Sequence, residues 1–116
     1  MMNLEEIKKD RELIKSIDWE ITPRQAFETY QLKAVGNWRH GALSPVLYFY
    51  LSVWKGEPRV YLVRRGLKES EEIAEIQAPE ELVRASAAEQ DGEQMPTGQL
   101  PLGDRLRDWL REQLDA

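Results

Sequence analysis

Apolar residues recur along this chain at two periods, and the switches between them mark its elements. Near the start, Leu4, Ile7, Ile14 and Ile17 fall on one face at helical spacing. Asn3 precedes them as a helix cap, and Glu6 three residues on completes a reciprocal capping box. Acids open the segment and Lys15 lies near its close, as the helix dipole favours. The pattern predicts a first helix, broken at SIDWEI. A second start follows at TPRQ: Thr22 caps, Pro23 suits a first turn that needs no N–H, and Gln25 completes another box. Ala26, Phe27, Tyr30 and Ala34 are its expected buried stripe, and Gly36 its stop.

The period then becomes two. VLYFYLSVW, Val46 to Trp54, has the β-branched and aromatic content of a strand. One face would carry Leu47, Phe49, Leu51 and Val53, the other Val46, Tyr48, Tyr50, Ser52 and Trp54. KGEP reads as a turn and RVYLVRR as the returning strand, with Pro58 at its start, where a missing donor is tolerated. The stretch 70–78 fits either a short helix capped by Ser70 or a third strand; a lone hairpin is marginal, so a third strand would help it. Pro79 opens a helix with Leu82, Val83 and Ser86 inward. Residues 91–103, rich in glycine, proline and polar side chains, read as a flexible loop. A last helix, about Pro101 to Leu114, sets Leu102, Leu106, Trp109, Leu110 and Leu114 on one face. The sum is a single α+β domain over 1–116: two N-terminal helices, a central antiparallel β-hairpin or three-stranded sheet, and C-terminal helices.

Composition narrows the chemistry. The chain has no cysteine, which excludes a disulfide scaffold, a thiol nucleophile and thiolate metal sites. Apolar residues make up 41% and charged residues 32%, the balance of a soluble folded domain. No apolar run approaches a membrane span and the first residues lack a signal-peptide core, so a cytoplasmic protein without membrane association is expected. Charge is unevenly spread. Between Lys33 and Lys68 seven basic residues face the single acid Glu57, a net of +6, which leaves −11 on the remainder of a chain whose total is −5.

The chain's one histidine, His40, sits in GNWRHGALSP behind Trp38 and Arg39. It could serve as a general base oriented by Asp18 or Glu20. No nucleophile motif accompanies it, and one histidine without neighbouring carboxylates makes no metal site. A loop histidine bonded to backbone or water is the simpler reading, and no metal or cofactor is expected. Trp38 and Arg39 are residue types enriched at binding hot spots. Tyr48, Tyr50 and Trp54, with Arg59, Arg64 and Arg65 across the turn, have the make-up of a single-strand nucleic-acid surface, yet helices on both faces of the sheet would make the same aromatics core. Glu71, Glu72 and Glu75 read as a solvated acidic face. The expected function is therefore a non-enzymatic protein-interaction module, binding a partner or a second copy through the Trp38–His40 loop and the adjacent hairpin. The alternative is nucleic acid or a phosphorylated ligand on the basic 33–68 segment, and after it an enzyme using His40.

The strings IDWEITP, NWRHG and VYLVRRG together resemble a small family of uncharacterised proteins from sulfate-reducing and related delta-proteobacteria. The likeness extends over most of the chain, up to LRDWLREQL. It implies a cytoplasmic bacterial protein, and because that family has no assigned activity it carries over no catalytic residue.

Overall fold

A computed structural model describes residues 1–35, 44–53, 57–66, 70–89 and 98–116, with only the backbone described for 31–35. In chain order the elements are α1 (Leu4–Lys8), α2 (Arg11–Lys15), α3 (Pro23–Val35), β1 (Val46–Ser52), β2 (Arg59–Arg65), β3 (Ser70–Ile76), α4 (Glu80–Glu89), β4 (Gln99–Leu100) and α5 (Asp104–Leu114). The strands form one antiparallel sheet in the order β3-β2-β1-β4. The class is α+β, as expected, with four strands among the described residues where a hairpin or three-stranded sheet was expected.

The first predicted helix is two. Asn3 and Glu6 form their capping box, but α1 ends at Lys8 with Lys9 as its cap, and the Asp10 carboxylate accepts from the Leu13 N–H at 3.1 Å. An aspartate that satisfies an amide three residues on starts a new helix rather than extending the old one. Ile7 and Ile14 still reach the same core. Ile17 then makes a parallel bridge to Leu47 on the outer edge of β1, with the Asp18 N–H donating to the Leu47 carbonyl at 2.8 Å. The Asp18 carboxylate accepts from the N–H groups of Glu20 and Ile21, so it shapes the turn into α3.

The α3 box forms as predicted, the Gln25 N–H donating to Thr22 Oγ1 at 3.1 Å and the Thr22 N–H to Gln25 Oε1 at 3.0 Å. Among its described side chains Pro23, Ala26 and Tyr30 are buried and Phe27 is 38% exposed, and the expected stripe residue Ala34 lies outside them. Phe27 thus leaves the stripe assigned to it. Ala26 and Tyr30, four residues apart, already fill the seam, and a residue one step from Ala26 points about 100° away.

The open choice at 70–78 resolves as a strand. β2 pairs with β3 from Val60 opposite Ile76 to Arg65 opposite Ser70, with an irregularity between Leu62 and Val63. Leu62 faces Ala74 while Val63 faces Glu72, so Ile73 is an extra residue. The bulge changes the alternation and brings Glu72 and Glu75 to the same face of the sheet. In the stretch read as a loop, residues 98–103 are ordered into β4 and the approach to α5, and the Val53 N–H donates to the Gly98 carbonyl at 2.9 Å.

Helices cover both sheet faces. On one, Leu47, Phe49, Leu51, Val60, Leu62, Ala74 and Ile76 pack against apolar residues of α1, α2, α4 and α5. On the other, Tyr48, Tyr50 and Val63 pack with Ala26 of α3, flanked by Ile21, Val46 and Tyr61. The C-terminal helices are tied at a buried point, where the Gly103 N–H donates to Ser86 Oγ at 2.7 Å. A side chain on Gly103 would press on Ser86 and the Glu89 carboxylate. Ser86→Ala leaves that buried amide without its acceptor and is expected to lower unfolding free energy by about 1–3 kcal/mol, measured by urea titration.

Candidate functional site

The second sheet face gathers all four tyrosines of the chain. Tyr48 and Tyr50 arrive there by strand alternation on β1, Tyr61 pairs opposite Tyr50 on β2, and Tyr30 comes from α3. The rings of Tyr50 and Tyr61 lie 5.7 Å apart, tilted by 34°. The Tyr50 hydroxyl donates to Glu72 Oε1, a contact made possible by the β3 bulge. Burial, then the hydrogen bond and charge of Glu72, pushes the Tyr50 phenol well above its ordinary value. Burial also raises Tyr30 and Tyr48, the latter partly offset by the charge and hydrogen bonding of Arg65.

These directions fix a pH response. A phenol whose pKa is raised on folding adds stability that is intact below the unfolded value of 10.0 and is lost as pH climbs from there toward the folded one. The contribution of these three phenols to stability is therefore expected to be flat through neutral pH and to fall above about pH 10. Tyr50→Phe should flatten that alkaline slope. An unchanged slope would mean that Tyr50 ionises as freely in the folded chain as in the unfolded one.

At the end of this face lies a different arrangement. Arg65 closes β2, opposite Val46 and Ser70. Its guanidinium lies over the Phe27 ring, 5.5 Å from the centroid. Its Nε is buried and has no hydrogen-bond partner among the described residues. Beside it the Tyr30 hydroxyl donates to the Ser44 carbonyl at 2.6 Å, pinning the chain just before it enters β1. Phe27 and Met1 are the large hydrophobic side chains exposed among the described residues.

The expected site residues are distributed as follows. Trp38, Arg39, His40 and Trp54 lie outside the described residues. Tyr48 and Tyr50, expected as possible surface aromatics, are only 1% and 2% exposed and belong to the core beneath α3. Arg59 is held by Glu57 at 3.1 Å and by Glu75 at 3.3 Å. Arg64 is exposed and sits opposite Glu71 on β3. Part of the charge asymmetry is thus internal: basic β2 lies alongside acidic β3. Arg65 alone of the three arginines meets an exposed aromatic among the described residues, and that aromatic is Phe27, which helical periodicity places in the core.

Among the described residues, the two larger of the clefts lie elsewhere. One, of about 490 Å³, opens between the ends of β2 and β3 and the start of α4, where Arg59 and Arg84 are already paired with glutamates. The other, of about 560 Å³, runs beside Met2, Arg64 and Glu71. No group of three or more residues able to hold a metal ion occurs among the described residues, and none of their helices is long and apolar enough to cross a membrane. In comparison with known proteins, the chain matches no family model, no curated protein and no solved structure.

Proposed function

We propose that this chain is a non-enzymatic protein-interaction module. Its binding surface is the sheet end around Phe27 and Arg65, together with Trp38, Arg39 and His40, which the sequence carries between α3 and β1. The observation that supports this most is Phe27, a large ring left 38% exposed beneath a guanidinium when a buried position was one residue away. Aromatic and arginine side chains in this combination are those on which binding energy concentrates. The Tyr30 hydroxyl holds the Ser44 carbonyl, just before β1, beside this sheet end. Nucleic-acid binding has less in its favour, because Tyr48 and Tyr50 are covered and Arg59 is engaged by two glutamates.

Affinity capture from lysate of the native host, followed by titration of the purified partner, tests the proposal. Phe27→Ala, Trp38→Ala and Arg39→Ala are each expected to weaken binding by about tenfold or more. A partner bound equally well by all three variants would contradict it. So would binding that single-stranded DNA competes away and that falls steeply with salt.

A further inference from the structure

The surface around Phe27 has a chemical bias. Arg24 stands one turn before Phe27 on α3, on the same side by helical spacing, and is exposed. Arg65 approaches the same ring from the sheet. The ion pairs among the described residues engage Lys8, Lys15, Arg59, Arg84 and Arg107, and neither of these two arginines. Glu28, one turn beyond Arg24, is exposed and is not paired with it. The patch is therefore an aromatic ring under Arg65 with Arg24 one turn away, neither arginine paired with a carboxylate among the described residues, on a chain whose net charge is −5.

We infer that this patch receives an acidic side chain of a partner protein, its carboxylate held by Arg65 and an adjoining apolar side chain resting on Phe27. This rests on the proposed interaction function and names the chemistry of the partner. Three features carry it. Arg65 is already half-buried, its guanidinium hydrogen-bonded to Tyr48 but its Nε out of water and without an acceptor among the described residues, so part of the cost of desolvating this cation is met in the folded chain before any anion arrives. A guanidinium presents a planar fork that a carboxylate matches with two parallel hydrogen bonds. A monoanion also suits the local charge better than a phosphate dianion does. Arg59 is held by two glutamates, and Arg64, the neighbour of Arg65 on β2, projects to the other sheet face beside Glu71. Arg24 is left to steer the approach at longer range.

Arginine Nε–H resonances give a direct readout by ¹H–¹⁵N spectroscopy, with Arg65 assigned from Arg65→Lys. The probe is a blocked acidic pentapeptide, a leucine flanked on each side by two glutamates. Its glutamine counterpart and inorganic phosphate serve as comparators. The acidic peptide is expected to move the Arg65 Nε–H and the Phe27 ring signals saturably in the millimolar range. The glutamine counterpart should bind at least about fivefold more weakly. Arg65→Gln should remove the response of the Phe27 ring, and Arg59→Gln should leave it intact. Equal response to both peptides, no movement of Arg65, or tighter binding of phosphate would overturn the inference. Glu69 precedes β3 in the sequence; if Glu69→Gln alone moves the Arg65 resonance and the peptide binds only that variant, the acid partner is internal and the inference is likewise overturned. Failure here is separable from failure of the broader proposal. A captured partner that needs Phe27 but tolerates Arg65→Gln removes only the carboxylate. Peptide binding at Arg65 without any captured partner removes only the interaction function.

Discussion

Tyr48→Ala is expected to lower unfolding free energy by about 3–5 kcal/mol, the range for removing a large buried aromatic ring. Tyr48 is 1% exposed, at the middle of β1, between Ala26 of α3 and Val63 of β2. Above it α3 is held by the packing of Ala26 and by the Tyr30–Ser44 hydrogen bond, which limits collapse into the space. A domain of this size has a total stability of about 5–15 kcal/mol, so the variant should be strongly destabilised or unfolded at 37 °C. Tyr48→Phe keeps the ring and should cost far less. Denaturant titration of the three proteins separates two roles for this residue. As a binding aromatic it would lose affinity on truncation and keep its stability; as core it does the reverse.

Leu110→Ala is expected to cost about 2–5 kcal/mol. Leu110 is fully buried, and Leu106 and Leu114, one turn to either side, are 1% and 0% exposed. The three form the contact stripe of α5 on the first sheet face. With both neighbouring turns packed, the helix cannot settle into the cavity, which places the cost toward the upper end. The position is further held because Arg11 of α2 donates to the carbonyls of Leu114 and Asp115, at 2.8 and 3.1 Å, closing the end of α5. Arg105→Ala, exposed on the opposite side of the same helix, should stay within about 0.5 kcal/mol of wild type and serves as the control. Equal effects at the two positions would mean that α5 is not docked through this stripe.

The stripe of α5, the extent of β2 and the capping box of α3 were legible because each is a local code. Three leucines four residues apart, a strand between turn residues, and a threonine three residues before a glutamine need no tertiary information. The break at Asp10 was hidden because Ile7 and Ile14, seven residues apart, keep one helical face on either side of it, although Asp10 and Arg11 leave a polar gap in the stripe. The signal was there in Asp10 itself, a good cap in mid-pattern. The bulge in β3 could not be read, since a bulge depends on register against a partner strand. The same holds for β4, two residues whose strand character comes only from pairing with Leu51 and Ser52. Whether Tyr48 and Tyr50 faced solvent or core turned on which side of the sheet α3 takes, a long-range fact. Phe27 was misassigned for a related reason: α3 has two adjacent apolar rows, and only docking decides which of them is covered.

For the proposed surface, the sequence pointed to the region between α3 and the hairpin, and the contact of Arg65 with Phe27 is what the structure supplies. The arginines of β2 proved unalike. Arg59 is neutralised in place, Arg64 lies across from Glu71, and Arg65 lies against an exposed ring. A count of basic residues cannot make that distinction, because it depends on which sheet face and which neighbour each side chain meets.

The proposed interaction surface is most directly tested by mapping amide and arginine side-chain chemical shifts of the labelled chain as a captured, purified partner is added. Perturbations are expected to cluster on the outer side of α3 around Phe27, on Arg65, and on residues 36–43. Perturbations centred instead on the cleft between β3 and α4, or on the groove beside Met2 and Arg64, would contradict it.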